Sequence, residues 1–126
     1  MGRSPNATYI TEILPLILAV EHDLKHFKSY MKFLPEETEL LLFPGATHIV
    51  YEPLGVVGIY GAWNYPVLTV LKPLIQCITT GNAAIIKPSE VSAATSSVIS
   101  RFVTRYLDHD VYSVVEGGID VAVALN

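Results

Sequence analysis

Residues 52–90, EPLGVVGIYGAWNYPVLTVLKPLIQCITTGNAAIIKPSE, decide the fold. The run GVVGIYG (55–61) is almost continuously apolar, the pattern of a parallel strand covered on both faces. Asn64 stands where it can cap the helix that follows, and Pro66 is tolerated in a first turn because an N–H there would be unpaired anyway. Val67, Val70, Leu74 and Cys77 then recur at steps of three and four, the inward stripe of a helix. Pro73 predicts a kink in that helix and Gly81 a left-handed end. AAIIK (83–87) is a second buried strand. Strand, helix and strand in that order imply a parallel pair joined by a right-handed crossover.

Downstream the alternation continues. Ser89 or Ser92 starts a second helix, running to about Tyr106 with Ala94, Val98, Phe102 and Leu107 inward. Residues 112–115 read as a third strand, and Gly117-Gly118 leads into a helix that begins near Asp120. Upstream, Tyr9, Ile13, Leu16, Val20, Leu24, Phe27 and Met31 mark one face of a helical segment over 7–33, closed by Leu34-Pro35. Pro15 predicts a kink or a junction between two helices. An acidic connector, Glu36 to Glu39, precedes LLLF (40–43) and HIVY (48–51), which flank Pro44-Gly45-Ala46-Thr47 and read as a β-hairpin over 40–52. The expected fold class is α/β. It is half of a doubly wound, Rossmann-like parallel sheet (55–126) preceded by the helical segment and the hairpin.

Composition narrows the function. Hydrophobic residues are 51% of the 126 and charged residues 16%, with mean hydropathy +0.42. That is apolar for a free-standing small domain, so the chain is expected to pack against more protein or to assemble with a partner. Its longest early apolar run, Ile13 to Val20, is broken by Pro15 and falls short of the ~20 residues that cross a bilayer. The start MGRSPNATYI lacks the apolar core of a secretory signal, so a cytoplasmic location is expected. One cysteine, Cys77, excludes an internal disulfide, and a net charge of −4 argues against nucleic acid as partner. Lys25, Lys28 and Lys32 read as a solvated stripe.

No Gly-Lys-Ser or Gly-Lys-Thr phosphate loop occurs, and Gly55, Gly58 and Gly61 fall within a strand rather than at a G-x-G-x-x-G turn. Other short words carry more. Gly61-Ala-Trp-Asn-Tyr-Pro66, Gly81-Asn-Ala83 and Lys87-Pro-Ser-Glu90 resemble, in order and separation, three words of the aldehyde dehydrogenase family. Tyr9-Ile-Thr-Glu-Ile13, Tyr51-Glu-Pro-Leu-Gly-Val-Val57, Tyr106-Leu-Asp-His-Asp110 and Val115-Glu-Gly-Gly118 are similar to its fatty and aromatic aldehyde branch. The resemblance covers essentially the whole chain but only a slice of the family's N-terminal half. It implies that 1–126 is a partial coenzyme-binding domain, that the family's first helix is missing, and that the catalytic domain is absent.

It also implies roles. Asn64 matches the asparagine whose amide stabilises the oxyanion formed when a thiolate attacks the aldehyde; on the residues alone it is a helix cap. Lys87 and Glu90 match residues that hold the adenosine ribose, so NAD is the implied coenzyme, with NADP possible because Lys87 offsets the repulsion of a 2′-phosphate. Tyr60, Gly61 and Trp63 resemble the coenzyme channel wall, although Trp63 equally suits a core position. Gly118 approaches the adenine side or simply serves its turn. Cys77 is expected to be a buried, inert thiol rather than the nucleophile. His22, His26, His48 and His109 lack metal-ligand spacing, so no metal is expected, and Glu116 and Asp120 lack acid–base partners. The partner implied for the full-length enzyme is an aldehyde, with homo-oligomerisation possible. Two readings stand. One is a fragment of an NAD(P)-dependent aldehyde dehydrogenase, inactive alone for want of its nucleophile and base. The other is a non-catalytic module that binds nucleotide weakly or associates with full-length relatives.

Overall fold

The structure, a computed structural model, describes residues 2–125. Met1 and Asn126, the ends of the 1–126 assignment, lie outside them. Its centre is a three-stranded parallel sheet in the order β3 (Val56–Tyr60), β4 (Ala83–Lys87), β5 (Tyr112–Val114), preceded in sequence by a hairpin of β1 (Leu34–Glu36) and β2 (Thr47–Ile49). Helices α3 (Leu68–Thr79) and α4 (Ala93–Tyr106) make the crossovers. A short α5 (Ile119–Ala124) follows β5. The expected parallel α/β unit is therefore present. Gly81 ends α3 with φ +75, the left-handed geometry that glycine adopts without strain. Within α3, the helix continues through Pro73.

The sheet differs from expectation in one respect. Both crossovers step the same way across it, so α3 and α4 lie on one face. Ile59, Ala84 and Ile86 meet Val70, Leu74 and Cys77 of α3 and Ile99 and Val103 of α4 in a single core. On the other face Val56 is 67% exposed, and no described element covers it. The near-continuous apolar run of β3 is thus buried on one side only.

The α4 face also needs correction. Ser96, Ile99 and Val103 point inward, whereas Ala94, Val98 and Phe102 are exposed and only Leu107 packs on the core as expected. Two apolar lines run along this helix, and spacing alone favours the one without a serine. Ser96 is nevertheless buried, because its hydroxyl donates to the Ser89 carbonyl at 2.6 Å.

The N-terminal segment is α1 (Pro5–Thr8), a π-helical stretch Tyr9–Ile13, then α2 (Leu14–Tyr30). Pro15 sits in the first turn of α2, where it needs no donor, directly after the wider π turn in which Leu14 N–H reaches the Tyr9 carbonyl. The junction reading of Pro15 is correct. α2 packs on α3, and Leu16 is its buried residue, but Tyr9, Val20, Leu24 and Met31 of the expected inward face are exposed.

The hairpin forms with different strands. Leu34, Pro35 and Glu36 pair antiparallel with Ile49, His48 and Thr47, so Leu34-Pro35 opens a strand as well as ending the helix. LLLF is not a strand; Leu40–Leu42 form a 3₁₀ turn. Leu42 N–H donates to Glu39 O, Phe43 N–H to Leu40 O and Gly45 N–H to Leu42 O, so short-range bonds fold the run into a turn in place of a ladder.

Candidate functional site

Parallel pairing brings the tips of β3 and β4 together. Tyr60 and Lys87 are register partners. Gly61 N–H donates to the Lys87 carbonyl at 2.8 Å. A Cβ at Gly61 would lie 2.4 Å from Val70 Cγ2 and 3.3 Å from Pro88 Cα, so only glycine fits between the chains at this crossing. Beyond the strands, Ser92 hydroxyl donates to the Trp63 carbonyl at 3.1 Å and ties the two loops. The loop carrying Asn64 and the loop carrying Glu90 are neighbours on one sheet edge. β5 runs parallel to β4, so Gly118, the residue before α5, follows from the same edge one strand further on.

Lys87 is buried at the end of β4, and its Nζ lies 2.8 Å from Glu90 Oε2. Glu90 itself is exposed at the start of a 3₁₀ turn, Glu90–Ser92, which precedes α4. The hydrogen bond from Lys87 holds the Glu90 carboxyl below its ordinary value of 4.5. A depressed folded value stabilises the protein above the unfolded value, and that contribution fades as pH falls through the lower, folded one. In a carbon-detected NMR titration the Glu90 midpoint is expected below 4.5, and Lys87→Met should move it back towards 4.5. An unchanged midpoint would disprove the coupling.

Asn64 is exposed. Its Oδ1 accepts from Tyr65 N–H at 3.1 Å, and its Nδ2 has no protein partner among the described residues. Asn64 does not cap α3 itself. The Val67 and Leu68 N–H groups donate instead to Glu12 Oε2, at 2.8 and 3.2 Å. Trp63 is 64% exposed and is not part of the core that the described residues form. Tyr60 points to the uncovered face. Cys77 is buried, donates to the Asn82 and Ala83 carbonyls, and has its thiol pushed up by desolvation. It is an inert core residue. His22 and His26 stack on the outer surface of α2.

Residues 19–126 match the aldehyde dehydrogenase family. The chain belongs to that family. Aldehyde dehydrogenase family 3 member H1 of Arabidopsis thaliana is 37% identical over 125 residues, covering 99% of this chain and 26% of the relative. The substrate-bound AldH of Staphylococcus aureus superposes with a TM-score of 0.90 at 38% identity, over 94% of this chain and 26% of that one. The Mycobacterium tuberculosis aldehyde dehydrogenase complexed with NAD+ shares the fold at a TM-score of 0.80 and 23% identity, over 98% and 25% of the two chains. This aldehyde dehydrogenase chain thus spans about a quarter of the length of the relatives it matches. No described helix is long and apolar enough to cross a membrane.

Glu12 is the site residue that the sequence does not reveal in this aldehyde dehydrogenase segment. It is wholly buried, yet it lies amid apolar neighbours in a helical stretch, 55 residues from the backbone it binds. Its signals are its place in the Tyr9-Ile-Thr-Glu-Ile13 word and an acidic residue near the face predicted to be inward, and neither names a role.

Proposed function

We propose that this chain is the coenzyme-binding slice of an NAD(P)-dependent aldehyde dehydrogenase that oxidises aldehydes to carboxylic acids. Asn64 donates its amide to the aldehyde oxygen as negative charge develops there. A fixed neutral donor stabilises that charge without a proton transfer. Glu90 accepts from the ribose hydroxyls while Lys87 steadies its other oxygen. Tyr60, Gly61, Trp63 and Gly118 line the coenzyme groove. The nicotinamide coenzyme supplies the oxidant. NAD is preferred because Glu90 repels a 2′-phosphate.

One observation carries this reading: Asn64, whose Nδ2 has no partner among the described residues, and the Lys87–Glu90 pair occupy adjacent loops on a single sheet edge. The donor set also suits the coenzyme, since an exposed carboxylate already fixed by a lysine is prepared to accept from vicinal hydroxyls. The nucleophile and the general base come from outside this chain, because Cys77 is sealed in the core. A cytoplasmic setting accords with that single reduced thiol.

The test is a chimera in which residues 2–125 replace the matching quarter of the Arabidopsis family 3 member H1. NADH formation from an aldehyde series is expected in the chimera and not in the isolated chain. A soluble, folded chimera without turnover would overturn the assignment, and turnover by the isolated chain would overturn its inactivity. In the chimera, Glu90→Ala is expected to weaken NAD binding about tenfold, one lost charge-assisted hydrogen bond. Unaltered affinity by calorimetry would remove Glu90 from the ribose site.

A second reading, a non-catalytic module that associates with full-length relatives, draws on the exposed run Leu40, Leu41, Leu42 and Phe43. Sedimentation of the isolated chain, alone and mixed with a relative, separates the two.

A further inference from the structure

The corner that carries Asn64 is held from a distant part of the chain. Glu12 is 0% exposed, and its Oε2 receives both Val67 N–H and Leu68 N–H. Its other oxygen accepts from Arg3 Nη1 at 3.4 Å. Arg3 then reaches past it. Nη2 donates to the Asn64 main-chain carbonyl, and the guanidinium lies 4.3 Å over the Tyr65 ring. Arg3 therefore grips residues 64 and 65, Glu12 grips residues 67 and 68, and the fully buried Pro66 stands between them.

A carboxylate buried at a helix N-terminus is well placed electrostatically, and the arginine compensates its charge. Stability alone does not require the second arm. The arm to the Asn64 carbonyl leaves the helix untouched and fixes only the peptide from which the Asn64 side chain departs. That side chain has a single bond of its own, Oδ1 to the next N–H. Its aim is therefore inherited from the backbone of the corner.

We propose that Arg3 and Glu12 are positioning residues that aim the Asn64 amide at the reacting oxygen. This rests on the reading of Asn64 as the oxyanion donor. A donor displaced by about 1 Å loses up to roughly 100-fold in rate, so loosening either grip should act on turnover rather than on coenzyme binding.

The experiment is a kinetic double-mutant cycle in the chimera, using Glu12→Gln, Arg3→Ala and Asn64→Ala. Each of the first two is expected to lower kcat about tenfold, with KM for NAD unchanged. Combined with Asn64→Ala, neither should lower kcat further, because no donor remains to be aimed. Additive losses, or a parallel rise in KM for NAD, would reduce the pair to ordinary structural support and overturn the inference. If Asn64→Ala alone left kcat intact, the donor reading itself would fall first, so the two failures are distinct. Arg3 is partly exposed, so Arg3→Ala keeps the test alive should Glu12→Gln not fold. Amide exchange on the 126-residue chain gives the second measurement. Glu12→Gln should speed exchange at Val67 and Leu68 while leaving Ile59 and Ile86 protected, whereas a uniform rise along the chain would count against a local role.

Discussion

Asn64→Ala in the chimera is expected to lower kcat by roughly 10²–10³-fold, about 3–4 kcal/mol of transition-state stabilisation, with little change in KM for NAD. The amide is exposed, and its Nδ2 spends no hydrogen bond on the fold among the described residues. Truncation therefore removes a donor without opening a cavity. The cost to folding is small too, since Asn64 Oδ1 receives only the adjacent N–H, while the α3 start is secured by Glu12. Asn64→Asp sharpens the test. The carboxylate keeps the shape and the acceptor but replaces the donor with a like charge facing the developing oxyanion, so its loss should at least equal that of alanine. Steady-state and burst-phase rates over an aldehyde series measure both. A kcat within about threefold of the parent chimera would remove Asn64 from the chemistry.

The sheet and its edge were legible because their signals are local. GVVGIYG and AAIIK show strand patterning within seven residues or fewer, Gly81 marks its own left-handed turn, and Val70, Leu74 and Cys77 define the buried face of α3. Where two local patterns compete, spacing can favour the wrong one. In α4 the lines through Val98 and Phe102 and through Ile99 and Val103 are equally apolar, and the buried serine hydrogen bond that selects the second is a tertiary contact. LLLF has the composition of a strand, but short-range bonds through Phe43 and Gly45 close it into a turn. For the site, Asn64, Lys87 and Glu90 were named from resemblance. Their adjacency follows from parallel register. The roles of Glu12 and Arg3 were not legible, because what makes them matter is a bond across 55 residues and another across 61.

Ile86→Ala is expected to destabilise the chain by about 3 kcal/mol, within the usual range for a buried isoleucine truncated in a packed core. Ile86 is on the central strand, wholly buried, with Ile59 and Val114 beside it in register and α3 and α4 above it. No neighbour can collapse into the void without moving a strand or a helix. Ile85, one residue earlier, points to the opposite face, where Gly58 and Ser113 are its register partners. Ile85→Ala should cost about 1 kcal/mol or less, since it removes contacts from a partly solvated surface and leaves no enclosed cavity. Urea denaturation read by circular dichroism supplies both values, with an unchanged m confirming that only stability moved. Equal losses at the two positions would mean that the second face is packed in solution. A stability that rises with protein concentration would then identify another copy as the cover. Unequal losses, independent of concentration, would establish that the α3–α4 side alone holds the sheet that positions the site.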